Sequence, residues 1–78
     1  MQQFPLYSQV ILTKNFPQFG FLKGDVATVV EFIEPSGYIL EIFDNQGDTL
    51  DILPVLESDI SFPKPHTVVN YREYAFIA

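Results

Sequence analysis

Few side chains in this chain have the type and spacing to do chemistry, and they fall into three groups. The first is His66, the single histidine. A nucleophilic triad would need Ser8, Ser36, Ser58 or Ser61 beside it and an aspartate behind it. No Gly-x-Ser-x-Gly elbow is present to present such a serine. One histidine with no cysteine also argues against a zinc site. His66 is therefore read as a surface residue following Pro65. The second group is Asp44, Asn45, Asp48 and Asp51, the densest acidic cluster. It has the composition of a calcium loop but not the alternating ligand spacing of one. A solvated hairpin tip is the preferred reading, with weak cation binding as the alternative. The third is Glu31 with Glu41, expected on adjacent strands. Paired carboxylates can do acid–base work, but no other site element accompanies them. They are expected on the outer face, near Lys23 or Arg72. The residues thus point to a protein that is not an enzyme, with no catalytic, cofactor-binding or metal-binding residue.

The aromatic side chains carry more information. Phe16, Phe19, Phe21, Phe43, Phe62, Tyr71, Tyr74 and Phe76 exceed what a small core holds. Excess apolar surface marks a protein interface. Aromatics with few cations suit protein recognition better than stacking on nucleic-acid bases. The candidate contact residues are Phe16, Phe19 and Phe21 in a long loop, and Tyr71, Tyr74 and Phe76 in the C-terminal tail.

The bulk properties set limits on these readings. The chain has 78 residues, enough for one domain, residues 1–78. Such a domain buries only roughly 60–65% of its unfolded surface. No cysteine is present to staple it, so the apolar core, drawn from 47% hydrophobic residues, must suffice. Ten acidic against four basic residues give a formal net charge of −6. Lys14, Lys23, Lys64 and Arg72 are scattered, so phosphate backbones and anionic membranes are disfavoured partners. A basic protein partner fits, and so does acidity that simply aids solubility. No run approaches the ~20 apolar residues of a membrane helix, and the N-terminus lacks a signal-peptide pattern. A cytoplasmic location is the expectation.

Strand signals position these groups. Gln9–Leu12 reads as a first strand. Residues 13–24 form a loop about as long as ordinary loops get, packed down by Phe16, Phe19, Phe21 and Leu22. Gly20 and Gly24 bracket a tight reversal, where glycine takes φ > 0 without steric cost, and Asp25 is placed to hydrogen-bond backbone amides of that turn. Val26–Ile33 is the clearest strand. Strict alternation puts Val26, Thr28, Val30 and Phe32 on one face and Ala27, Val29, Glu31 and Ile33 on the other. Val26, Val29 and Val30 are expected to fill the interior. A turn at Glu34–Gly37 leads to a strand over Tyr38–Phe43. A hairpin loop with Gly47 leads to a fourth strand, Thr49–Leu53, ended by Pro54. Residues 55–60 suit one 3₁₀ turn. A fifth strand is expected at His66–Asn70, with Pro63 and Pro65 making its approach irregular. The aromatic tail 71–78 is expected to be tied down, lengthen a strand, or dock on another copy. Five short strands in under 80 residues point to a small all-β barrel or sandwich.

Two stretches resemble a known pattern. They are Leu12 through Glu31, with Gly20-Phe21-Leu22-Lys23-Gly24-Asp25 at its centre, and Tyr38 through Thr49. Together they resemble the small bacterial domains of domain-of-unknown-function family 4926. Those read Gly-Asp-x-Gly-Thr-Val-Val-Glu, then a Tyr-x-Val-Glu-Phe strand and an acidic Gly-x-Thr hairpin. The likeness covers residues 9 to 62 and departs at Ala27, where that family carries glycine. Alanine there is tolerated if its φ is negative. More broadly the entry strand resembles those of KOW and SH3-like barrels, including ribosomal, nitrile-hydratase and photosystem subunits. The resemblance implies a five-stranded SH3-like barrel and no known activity. The Gly20–Asp25 segment is not a phosphate loop, since it lacks the Gly-Lys-Ser/Thr ending and leads into a strand.

The sequence therefore points to an interaction module or accessory subunit. It would bind another protein or itself, with a homodimer through the tail and the neutralising partner of a toxin as particular forms. A small ligand-binding or enzymatic domain using surface carboxylates, and a KOW-like nucleic-acid binder, are the alternatives. The net charge disfavours the last.

Overall fold

β-branched and aromatic residues dominate the chain between its turn signals, and such residues fit a pleated, half-buried surface. In a computed structural model, which describes residues 3–74, they form five strands. These are β1 (Gln9–Leu12), β2 (Val26–Ile33), β3 (Gly37–Phe43), β4 (Thr49–Leu56) and β5 (Ile60–Ser61). A single 3₁₀ turn, Glu57–Asp59, joins β4 to β5. The strands make one antiparallel sheet in the order β4-β3-β2-β1-β5. The two outermost strands are therefore consecutive in the chain. Five flat strands would hold them about 19 Å apart, at the ~4.8 Å strand spacing. Three 3₁₀ residues advance only about 6 Å. The sheet must roll until its edges approach, and a small barrel results.

Its interior is filled by alternating residues: Val10 and Leu12, Ala27 and Val29, Tyr38, Leu40 and Ile42, Leu53 and Val55, then Ile60. Tyr38, Leu40 and Ile42 share the inner face as alternation predicts. Strand β2 departs from it. Its register against β3 shifts between Val29 and Glu31. Val30 is an extra residue there, and one extra residue reverses which face the rest of a strand presents. Ala27 and Val29 point inward before the bulge. After it, Phe32 faces Tyr38, ring centroids 5.8 Å apart and edge to face. The expected division of β2 into two continuous faces is thus broken at its middle. Val26 is exposed and Val30 half-buried, so Ala27 fills the place expected of Val26. Ala27 is not among the residues with positive φ, so its methyl group fits where glycine is usual.

Two further expectations are corrected. Strand β4 does not end at Pro54 but continues to Leu56. Proline is tolerated because β4 lies at the sheet edge. No strand forms at His66–Asn70. The fifth strand is Ile60–Ser61, which takes the edge of β1 opposite β2. His66 adopts φ 67° in a turn closed by the Thr67 amide on the Lys64 carbonyl, a backbone that does not continue a ladder.

The N-terminal segment is held by the core. Phe4 is buried against Tyr38 and Phe62, with centroids 5.5 and 4.7 Å away. The fully buried Tyr38 sends its hydroxyl to this place. It accepts from the Gln3 and Phe4 amides at 2.9 and 3.2 Å and donates to Glu57 Oε2 at 2.8 Å. One oxygen therefore ties the N-terminal segment, β3 and the 3₁₀ turn together. Replacing Tyr38 with Phe keeps the ring and removes the acceptor of the Phe4 amide, while the Gln3 amide keeps Glu57 Oε2 at 3.3 Å. Tyr38→Phe should lower unfolding free energy by about 1–3 kcal/mol, read as a lower urea midpoint at unchanged slope.

Candidate functional site

The loop 13–24 folds back on itself before the chain enters β2. Phe16 and Phe21 exchange backbone hydrogen bonds at 2.8 and 3.2 Å, and the Phe19 amide caps the Phe16 carbonyl at 3.0 Å. Gly20 and Gly24 take φ 78° and 94°, the left-handed conformation that suits glycine. Asp25 then locks the turn: its Oδ2 accepts from the Leu22 amide at 2.7 Å, and its own amide donates to the Leu22 carbonyl at 3.0 Å. Asn15 Oδ1 receives the Lys23 amide at 2.8 Å. The reversal predicted between the two glycines and the backbone role predicted for Asp25 are both present.

The second wall of the site comes from the far end of the chain. Residues 67–74 run without helix or strand and return to this turn. The Arg72 guanidinium grips Asp25 with two nitrogens, Nε on Oδ1 at 3.0 Å and Nη2 on Oδ2. Nη2 also donates to the Gly20 carbonyl at 3.2 Å. Tyr74 stacks on Phe21, centroids 4.9 Å apart and planes 15° from parallel, and its hydroxyl donates to the Phe19 carbonyl at 2.9 Å. Between tail and barrel lies an open cleft of about 740 Å³, walled by Val26, Ile42, Phe43 and Leu50 on the barrel side. The hydrogen bond to Asp25 holds the Arg72 guanidinium above its ordinary value, against a smaller opposing effect of burial. Burial pushes the Tyr74 phenol up, with the charge of Asp51 acting in the same direction.

Of the contact residues singled out from sequence, Phe16, Phe19, Phe21 and Tyr74 come together at this turn. Phe21 is 1% exposed, packed in the core with its ring stacked against Tyr74. Phe16 and Phe19 are half-buried against that core, with the Lys14 ammonium 5.3 Å from the Phe16 ring centre. Leu22, expected to pack the loop, is exposed. Tyr71 is exposed, Tyr74 is half-buried in the site, and Phe76 lies outside the described residues. Gly47, at φ 88°, closes the acidic hairpin as expected. Gly37 instead begins β3, its backbone packed so close to Ile33 that a Cβ would approach the Ile33 Cβ to 3.2 Å.

The acidic residues have local partners. Asp44 Oδ1 accepts from the Gln46 and Asp48 amides, both at 2.9 Å. Glu41 Oε2 accepts from the Thr49 hydroxyl. Register places Glu41 beside Thr28 and Ile52, whereas Glu31 lies beside Ile39. Arg72, expected near these glutamates, pairs with Asp25 instead. Among the described residues no group of three or more His, Cys, Asp or Glu is arranged to hold a metal. His66 is exposed, and the Ser8 hydroxyl donates to the Pro5 carbonyl at 2.7 Å.

Sequence reasoning missed the outer edge of β4. Alternate residues of an edge strand direct their amides away from the sheet. Glu57 donates toward the β3 side, to the Ser36 carbonyl at 2.9 Å, so residues 52, 54 and 56 face outward. The Ile52 amide is taken by Asp51 Oδ1 at 2.8 Å, Pro54 has none, and the Leu56 amide is taken by Asp59 Oδ2 at 3.0 Å. Every outward donor from Ile52 to Leu56 is occupied or missing. The signal was present in Asp51, Pro54 and Asp59, but it is readable only once β4 is known to be an edge.

The family model described as Domain of unknown function (DUF4926) matches residues 6–62. The chain belongs to that family. The match spans all five strands and ends before the tail that carries Arg72 and Tyr74. No curated protein and no solved structure matches the chain. Among the described residues no helix is long and apolar enough to cross a membrane.

The Tyr74 phenol has its pKa raised on docking, so neutral phenol is what the docked tail stabilises. That contribution is complete below the ordinary value of 10.0 and is lost as pH rises through the raised value. The tyrosinate absorbance difference between the native chain and Tyr74→Phe should therefore show a midpoint above 10.0. A midpoint at or below that value would mean that the ring is not held against Phe21.

Proposed function

We propose that this protein is a non-enzymatic protein-interaction module whose principal contact surface is the outer face of β4. One observation carries this reading: β4 exposes Ile52, Pro54 and Leu56 in a row, with Ile52 53% and Leu56 60% exposed, on an edge whose outward amides are closed. Exposed apolar strand edges ordinarily recruit further strands and aggregate. Here strand addition lacks its donors, so the apolar row is offered through side chains alone. Exposed Ile33 lies beside the row and with Pro54 and Leu56 lines a hollow of about 300 Å³. A row of this kind fits the apolar centre of a protein interface.

The net charge of −6 favours a partner with a basic surface around its own apolar patch. A toxin neutralised by a small acidic partner would meet that description. Self-association through the same face is the second form of this reading. Arg72 and Tyr74 of the tail are engaged by their own barrel, which favours the β4 face over the tail as the contact between copies. The carboxylate-based alternative finds less support, because Glu41, Asp44 and Asp51 each accept a hydrogen bond from their own neighbourhood.

Immobilised full-length protein should retain a protein from a lysate of the native cell, identified by mass spectrometry. The double variant Ile52→Lys/Leu56→Lys should lose at least ~10-fold of that retention, as a central contact worth about 1.4 kcal/mol or more requires. Both positions are exposed, so the thermal midpoint should move little. Equal retention by the folded double variant would overturn the assignment of this face.

A further inference from the structure

The tail is joined to the barrel by contacts that resemble those of a ligand more than those of a sixth element. Residues 67–74 make no strand pairing among the described residues, and Val68, Val69 and Tyr71 are 84, 79 and 78% exposed. Among the described residues of the tail, the side chains that dock are Arg72 and Tyr74. Each meets a prepared receptor. Asp25, already fixed by the Leu22 amide, and the Gly20 carbonyl, fixed by a left-handed glycine, receive the guanidinium. The flat face of the buried Phe21 receives the tyrosine ring, and the Phe19 carbonyl receives its hydroxyl. The barrel side of the cleft carries Asp25 and Asp44, and among the described lining residues the one cation, Arg72, comes from the tail. The described part of the tail also leaves the cleft open beside it, along Val26, Ile42 and Phe43.

We infer that this cleft is a peptide-binding site whose ligand is a segment of another protein carrying arginine followed two residues later by tyrosine. The tail holds the site in cis. Bidentate pairing with a carboxylate selects arginine over lysine, and the Phe19 carbonyl selects tyrosine over phenylalanine. A tethered occupant competes at an effective concentration on the order of millimolar. A partner displaces it by adding contacts along the open part of the cleft, so partners that offer only the two anchors are rejected. This site shares no lining residue with the hollow at Ile33 and Leu56 on the β4 face.

The test uses the full chain with Arg72→Ala and Tyr74→Ala, which empties the site without removing any residue. Circular dichroism melting establishes that it folds. The probe is a fluorescently labelled synthetic peptide with the sequence of residues 69–74, followed by anisotropy. It should bind the double variant at least ~10-fold more tightly than the native chain, whose site is occupied. A peptide with alanine in place of its arginine should bind the double variant at least ~10-fold more weakly, as should the original peptide when Asp25→Asn is added. No binding to the folded double variant would overturn the proposal, and so would equal affinity for native chain and variant or for the peptide lacking arginine. The β4 reading is scored separately. Loss of partner retention in Ile52→Lys/Leu56→Lys together with absent peptide binding removes this site and leaves that function standing.

Discussion

The connection between β4 and β5 constrains the rest of the molecule. Three residues, Glu57–Asp59, must join the two outer edges of a five-stranded sheet, and only a rolled sheet brings those edges within reach. The acidic residues of the connection are built into the result. Glu57 receives the Tyr38 hydroxyl from the centre of the barrel. Asp59 is buried, caps the Leu56 amide and lies 3.5 Å from the Lys14 ammonium. The Thr13 amide donates to the Asp59 carbonyl at 2.8 Å. The closing turn thus holds the N-terminal segment, the start of the long loop and the end of β4, and the Gly20–Asp25 turn is presented from a frame fixed at both ends.

Much of the acidity of this chain is structural. Asp25, Glu41, Asp44, Asp51, Glu57 and Asp59, six of the ten acidic residues, accept hydrogen bonds from backbone amides or hydroxyls nearby. Carboxylates satisfy such donors well, because a charged acceptor strengthens the bond. A domain of this size without disulfides gains from pinning its turns and edge in this way. The same residues contribute most of the negative charge of the chain. At Asp25 the two uses coincide: one carboxylate shapes the turn and also receives Arg72.

The two surfaces differ physically. On β4 the apolar row is exposed among the described residues, and its outward backbone donors are closed. At the Gly20–Asp25 turn, the polar and aromatic receptors are covered by the chain itself. The family match ends at residue 62, so the barrel and its β4 edge belong to the shared domain, whereas the Arg72–Tyr74 latch lies beyond the matched stretch.

The local rules were legible wherever a residue's own chemistry decides its conformation. Gly20, Gly24 and Gly47 occupy left-handed positions, Asp25 caps its turn, and β1 and β2 fall where β-branched residues cluster. The all-β class followed from the same signals. Tertiary structure decided what depends on neighbours distant in sequence. The bulge at Val30 reversed the faces of β2, because parity within a strand is set against its partner. Phe21 went into the core and Leu22 to the surface, because loop side chains are sorted by the shape of the barrel beneath them. Pro54 joined a strand because β4 became an edge, and His66–Asn70 did not because Ile60–Ser61 had taken the available edge of β1. Phe4 and Arg72 found partners 34 and 47 residues away in sequence, and no periodicity encodes contacts of that range. The pairing of Arg72 with Asp25, on which the proposed peptide site rests, is of this second kind: each residue is plain in the sequence, and only the fold brings them together.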